Sequence, residues 1–267
     1  MDLVDIQKTV DERKVALDQV GVCDLKYPIV VLDRTSGQQQ TIANVALSVS
    51  LPPEVKGTHM SRFIAVMNSY RGDITMTAIP KILNDLKSLL EADAAQVSMT
   101  FPYFIEKTAP VSGHKGYLDC ECTFYGEACS SGQKFRMVVK VQVASLCPCS
   151  KAISDYGAHN QRGIVEMSVE LAEIDGKLAK VWIEELFEIA ESSASAPLYP
   201  LLKRADERHV TMQAYENPAF VEDIARSVAV RLRNDERIAS FEVKVTNFES
   251  IHAHNAFAVA RSSHISS

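Results

Sequence analysis

Apolar residues at every second position mark out the strands of this chain. Val45, Leu47, Val49 and Leu51 share one face, as do Val97, Met99, Phe101 and Tyr103. The alternation returns in Leu118, Cys120, Cys122 and Phe124, then in Met137, Val139, Val141 and Val143. It returns again in Val165, Met167, Val169 and Leu171, and last in Phe241, Val243 and Val245. Helical spacing fills the gaps. Met60, Phe63, Ile64 and Met67 make one stripe, and Ile82, Leu83, Leu86, Leu89 and Leu90 a second. Trp182, Ile183, Leu186, Phe187 and Ala190 make the third. A fourth runs through Phe220, Ile224, Val228 and Leu232, with Asn217 expected as its N-cap and Pro218 at its first position.

The order is strand-strand-helix-helix-strand-strand, twice over, divided by the polar turn Ser130-Ser131-Gly132-Gln133. No residue-level repeat accompanies it, so the duplication is one of pattern. An α+β fold is expected, with antiparallel sheets covered by helices on one face. Residues 21–130 form one expected unit, and 131–267 a second that carries most of the candidate chemistry. The first 20 residues and the tail Arg261–Ser267 are expected to be weakly ordered. Open sheet edges need cover, which points to an oligomer.

Composition narrows the function without naming it. Hydrophobic residues are 46% of the chain and charged ones 23%, enough for one large or two smaller cores. No apolar run approaches the roughly 18 residues of a membrane span. The N-terminus lacks the basic and apolar regions of a secretory signal. A cytoplasmic location follows as an expectation, with the six cysteines reduced. The net charge of -6 argues against nucleic acid as a partner. Local basic clusters leave an anionic small substrate open: Lys56 and Arg62 around His59, Lys151 and Arg162 around His159, and Lys203-Arg204.

Two Cys-x-Cys pairs invite comparison. Cys120-Glu-Cys122 lies inside a clean strand and reads as core. Cys147-Pro-Cys149 follows the end of a strand, and Pro148 removes a ladder donor there. Its thiols are candidates for metal binding or reaction, with two further buried cysteines as the alternative. A catalytic zinc-type centre needs three protein ligands and one open position. His159 is the nearest nitrogen donor, and Asp206 or Glu207 could add an oxygen from what looks like a short polar segment. If the chain around His252 and His254 is extended, both project to one side, opposite Phe257 and Val259, and could bind metal or shuttle protons. Glu222, early in the fourth helix, could favour the helix dipole or accept N–H groups from a guanine edge.

Several long stretches together resemble one family, the type IB GTP cyclohydrolases of the tunnelling fold. They are Lys56-Gly-Thr-His-Met-Ser-Arg62, Thr108-Ala-Pro-Val-Ser-Gly113, Ser145-Leu-Cys-Pro-Cys-Ser-Lys151 and Tyr156-Gly-Ala-His-Asn-Gln-Arg162. Leu201-Leu-Lys-Arg204 with Asp206-Glu207, Tyr215-Glu-Asn-Pro218 with Phe220-Val-Glu-Asp223, and Asn247-Phe-Glu-Ser-Ile-His252 complete the set. The resemblance implies a homotetramer of bimodular subunits with active sites at subunit interfaces. It implies conversion of GTP and water to 7,8-dihydroneopterin triphosphate and formate, the entry to folate and related pterins. It implies one divalent metal per site, Zn(II), Mn(II) or Fe(II), on Cys147, His159 and Glu207.

By the same resemblance Cys149 is the essential thiol, and His252 and His254 are the acid/base histidines. Glu222 anchors guanine, with Glu216 a lower-ranked alternative. Lys56, His59, Arg62, Lys151, Arg162, Lys203 and Arg204 are the expected triphosphate contacts. Ala205 stands where the family often has proline. Two other functions stay open: a tunnelling-fold enzyme acting on another purine or pterin through Cys149, and a nucleotide- or metal-binding protein without turnover.

Overall fold

A computed structural model describes residues 5–70 and 75–262. Its contacts divide the chain into two compact units. One comprises the described residues up to Pro102 with Thr123–Arg136, and the other Tyr103–Cys122 with Met137 onward.

In the first unit, β1 (Leu17–Asp33) and β2 (Gly37–Leu51) form an antiparallel hairpin. Asp33 Oδ1 accepts the N–H groups of Thr35 and Ser36 at its turn, which Gly37 closes at φ +84°. α1 (Met60–Ser69) and α2 (Ile79–Leu90) follow, and each buries one stripe: Phe63, Val66 and Met67, then Ile79, Ile82, Leu83 and Leu86. β3 (Ala95–Thr108) pairs with β2, while β4 (Lys115–Cys129) and β5 (Gly132–Leu146) share their residues with the second unit, as β3 does. From Ala43 to Leu51 in β2 every second side chain is buried and its neighbours are half-buried, as one helix-covered face requires. Phe101, Phe124 and Phe135 pack ring to ring, with centroids 4.9 and 5.5 Å apart.

In the second unit, β5 is followed by the short α3 (Pro148–Ile153) and by β6 (Asn160–Leu171). A small hairpin of β7 (Glu173–Ile174) and β8 (Lys177–Leu178) leads to α4 (Ile183–Ser193). After β9 (Ala196–Pro197), which pairs with β5, come α5 (Arg204–Glu216), α6 (Val221–Arg233), β10 (Ile238–Asn247) and β11 (Ala256–Arg261). The strand order is β5-β6-β10-β11, and the β6–β10 and β10–β11 pairs are antiparallel. α6 packs on β10 and β11, and α4 packs on α6. Val139, Val141, Val143, Val165, Met167, Val169, Val243 and Val245 are buried on the strands, and Leu186, Phe187, Ile224, Val228 and Leu232 are buried on the helices. Both units are thus helices over antiparallel strands, the α+β class expected. Among the described residues no helix is long and apolar enough to cross a membrane.

The structure departs from the sequence-based expectation at several places. β1 begins at Leu17, inside the segment expected to be weakly ordered, and Val10 bridges Val55 ahead of it. The tail beyond Ser262 lies outside the described residues. Asn217 does not start α6; its amide bonds back to the Gln213 carbonyl and closes α5. α6 starts after Phe220, whose N–H donates to Asp223 Oδ2 at 3.1 Å. Asp206 and Glu207 sit not in a loop but in the first turn of α5, whose apolar stripe of Val210 and Ala214 is too thin to stand out.

Asp206 holds α5 in place. Its carboxylate, fully buried, accepts the N–H groups of Val111, Ser112 and Lys203 at 2.8–2.9 Å and the Ser112 hydroxyl at 2.6 Å. Burial pushes the carboxyl up, but the donors of Ser112, Lys203 and Val111 outweigh it and hold it well below the usual carboxylate range. A depressed folded pKa gives stability that is present above the unfolded value, near 4, and lost as pH falls through the folded one. We predict that Asp206→Asn lowers the thermal midpoint at pH 7 and speeds amide exchange at Val111 and Ser112. The deficit relative to wild type should shrink as pH is lowered through the acid range. An unchanged midpoint and exchange pattern would remove this clamp.

Candidate active site

One cleft of about 260 Å³ in the second unit gathers much of the expected chemistry. Cys147, His159, Glu222, His252 and His254 line it, together with Gln161, Phe220, Asn247 and Glu249. Three chain segments meet there: the β5–α3 junction with the start of β6, the start of α6, and the β10–β11 loop.

The first segment is fixed by its backbone. The Cys147 N–H donates to the His159 carbonyl at 3.1 Å, so β5 and β6 stay paired up to both residues. Pro148 occupies the first position of α3, and Cys147 becomes its N-cap, with Sγ accepting the Ser150 N–H at 3.4 Å. Ser150 Oγ accepts the His159 N–H at 3.2 Å. The His159 ring has Nδ1 at 3.0 Å from Gln161 Oε1 and at 3.4 Å from Ser250 Oγ.

The second segment shares out its acids. Asp223 caps α6, which leaves neighbouring Glu222 facing the cleft from the same first turn. The third segment corrects an expectation. Residues 248–255 form a loop between β10 and β11, bent at 250–254, and not extended strand. His252 and His254 still come together, stacked with ring centroids 5.2 Å apart, and His252 stands edge-on to His159 at 6.5 Å. Phe257 and Val259 follow on β11, both exposed.

Ser145, Gln161 and Asn247 form a buried polar floor that sequence reasoning missed. Ser145 Oγ donates to the Ala219 carbonyl at 2.9 Å and accepts from Asn247 Nδ2 at 3.1 Å and Gln161 Nε2 at 3.5 Å. The signal was present. Ser145 continues the inward phase of Val141 and Val143, Gln161 that of Gly163 and Val165, and Asn247 that of Val243 and Val245. A polar residue on a core phase at a strand end is the mark of a site.

Other expected residues lie elsewhere. Cys149 is exposed on α3 and does not line the cleft. Among the described residues no three His, Cys, Asp or Glu side chains stand close enough to hold a metal ion. The missing member is Glu207, exposed beside the inward-turned Asp206. It nevertheless lies three residues before Val210 and seven before Ala214, the α5 residues packed against Leu146 and Ala158 next to Cys147 and His159. Glu216 borders a different opening along α5, with Arg208 and His209. Lys151 donates to the Tyr215 carbonyl and lies 4.2 Å from the centre of its ring. Arg162, Lys203 and Arg204 are exposed. Lys56, His59 and Arg62 belong to the first unit, where His59 meets Asp5 at 3.2 Å and Arg62 donates to the Leu89 carbonyl. Cys120 and Cys122 are core, and burial pushes the Cys122 thiol far up.

The architecture is that of a tunnelling-fold protein. Uricase from Arthrobacter globiformis matches at a TM-score of 0.54 over 94% of each chain with 10% identity. Urate oxidase from Bacillus sp. TB-90 matches at 0.51 over 92% of this chain and 99% of that one, with 9% identity. At those identities the likeness is one of fold. Sequence likeness goes further: the family profile "Type I GTP cyclohydrolase folE2" matches residues 3–258. The GTP cyclohydrolase FolE2 of Fervidobacterium nodosum is 49% identical over 263 residues, 98% of each chain. That of Thermosipho africanus is 47% identical over 258 residues, 97% of each, and that of Nitrosomonas eutropha 48% over 258, 96% of this chain and 94% of its own. The chain belongs to the FolE2 family of type I GTP cyclohydrolases.

Gly163 gives a test of the cleft floor. A Cβ there would sit 2.5 Å from Asn247 Oδ1 and 3.1 Å from the Thr246 carbonyl. Gly163→Ala is expected to cost about 1–3 kcal/mol by overpacking, measured by urea unfolding, and to displace Asn247. Wild-type stability in this variant would show that the floor is loose.

Proposed function

We propose that this cleft converts GTP and water to 7,8-dihydroneopterin triphosphate and formate, the entry to folate and related pterins. One observation carries the placement: Glu222, His159, Cys147 and the stacked pair His252–His254 face a single opening. Glu222 offers two acceptor oxygens, and guanine offers donors of matching spacing on its N1 and N2 edge. The partly exposed Phe220 ring beside Glu222 is an apolar wall for the purine. Opening the imidazole ring needs hydroxide at C8 and a proton for the departing nitrogen. His252 and His254 carry that proton and recover it through formate loss, ribose opening and ring closure. Cys149, in the first turn of α3, is the thiol we assign to C8.

Cys147 and His159 fit as two ligands of a divalent metal, since sulfur and nitrogen donors line one cleft. Glu207 completes the set from the α5 stripe that packs beside them. The chemistry such an ion supplies is a water acidic enough to serve as hydroxide near neutral pH. A mixed S, N and O donor set accommodates Zn(II), Mn(II) or Fe(II). Arg162, Lys203 and Arg204, all exposed, take the triphosphate together with Lys151. The exposed Phe257 and Val259 on the edge strand β11 support a homo-oligomer, with the tetramer and interfacial sites as our reading. We retain 21–130 and 131–267 as the tandem units, and the cytoplasm as the site of action.

Two experiments test the reading. Protein loaded in turn with Zn(II), Mn(II) and Fe(II) should release formate from GTP and yield a pterin that fluoresces after oxidation. Chelation should abolish both products, and metal should restore them. Tight GTP binding without formate under all three metals would leave a binding protein. Second, His252→Ala and Cys149→Ala should each lower kcat on the order of 100-fold or more. Glu222→Gln should lower kcat/KM for GTP about 10- to 100-fold, the weight of a hydrogen bond to a charged group. Wild-type kinetics in all three would place the chemistry elsewhere.

A further inference from the structure

The buried floor contains an ordered chain of constraints. The Ala219 carbonyl can only accept, so it takes the single proton of the Ser145 hydroxyl at 2.9 Å. Ser145 Oγ is then an acceptor toward every other neighbour. The amides of Asn247 and Gln161 must both present NH₂ groups to it, at 3.1 and 3.5 Å. With its nitrogen committed to Ser145, Gln161 turns its oxygen to His159 Nδ1, 3.0 Å away. An oxygen there requires a proton on Nδ1. The opposite tautomer would turn the Gln161 amide over and set its oxygen against the Ser145 oxygen. Ser145 is fully buried and Gln161 is 8% exposed, so that clash would forfeit a hydrogen bond at a buried oxygen. Ser250 Oγ, at 3.4 Å, is a longer second neighbour that can accept a share of the same N–H.

We infer that Gln161 is a positioning residue that locks His159 with its proton on Nδ1, leaving Nε2 as the ring's free lone pair, and that Ser145 sets the direction of the lock. The inference deepens the reading of His159 as a metal ligand and rests on it only for the metal-affinity arm of its test. Histidine ligands generally need their other ring nitrogen held by such a partner, and losing it weakens metal binding about 10- to 100-fold.

The test uses the full-length, ¹⁵N-labelled, metal-stripped protein. Two-bond ¹H–¹⁵N correlation spectra report which ring nitrogen of His159 carries the proton, with the peak assigned by its loss in His159→Gln. Wild type should show protonated Nδ1 and bare Nε2. Gln161→Met, similar in shape but unable to accept, should give mixed tautomers and a 10- to 100-fold higher Co(II) dissociation constant. Gln161→Glu keeps an acceptor and should restore the Nδ1–H form. Ser145→Ala leaves Gln161 in place but unaims its amide, so it too should mix the tautomers; it decides the matter should Gln161→Met not fold. A proton on Nε2 in wild type, or a retained single tautomer in both Gln161→Met and Ser145→Ala, overturns the inference. A confirmed lock in a protein that makes no formate from GTP would instead count against the proposed function alone.

Discussion

One hydroxyl group ties the cleft together. Ser145, at the end of β5, holds the side chains that end the inward phases of β6 and β10 and the backbone just before α6. Each bond is worth only about 1 kcal/mol net, but breaking one strands a buried partner at greater cost. The network is not complete, since Asn247 Oδ1 is buried without a partner, so its three bonds to Ser145 carry the arrangement. Four segments distant in sequence thus share one arrangement, and the residues they carry into the cleft inherit it.

The helices repeat a second economy. α5 and α6 each open with an Asp–Glu pair, in opposite order. In both, the aspartate caps the helix by accepting the N–H three residues back: Asp206 from Lys203, Asp223 from Phe220. In both, the glutamate is left without that duty. Glu222 spends its freedom in the cleft, and Glu207 stands beside the stripe that packs against it. Asp206 does more than cap, since it also clamps the turn at Val111 and Ser112 and so sets where α5 begins.

Strands were legible because a period of two leaves little ambiguity over six or seven residues, and every alternation expected was found with one face buried. Cys120 and Cys122 obeyed that rule and were core. α5 was not legible, because a helix with only Val210 and Ala214 on its packed side leaves almost no periodic trace. Asn217 misled because its capping chemistry serves either end of a helix, and here it closes one. In the site, local spacing located Cys147, His159 and the two later histidines but could not tell which lysines and arginines were already engaged. Lys151 meets Tyr215, 64 residues away, and Arg62 meets Leu89. Partners at such separations leave no mark on the neighbouring sequence. The three polar residues of the floor were legible and overlooked: each breaks an apolar phase.

The contact between Lys151 and Tyr215 has a mechanical side. α3 is six residues long, too short to persist as a helix on its own in water, and beyond its Cys147 cap it leans on the end of α5. Cys149 rides on α3 and Glu207 on α5, and neither lines the cleft. The tether joins the helix that carries one to the helix that carries the other. The register of α3, and with it the position of the Cys149 thiol, is therefore set by a helix that begins more than fifty residues later in the chain.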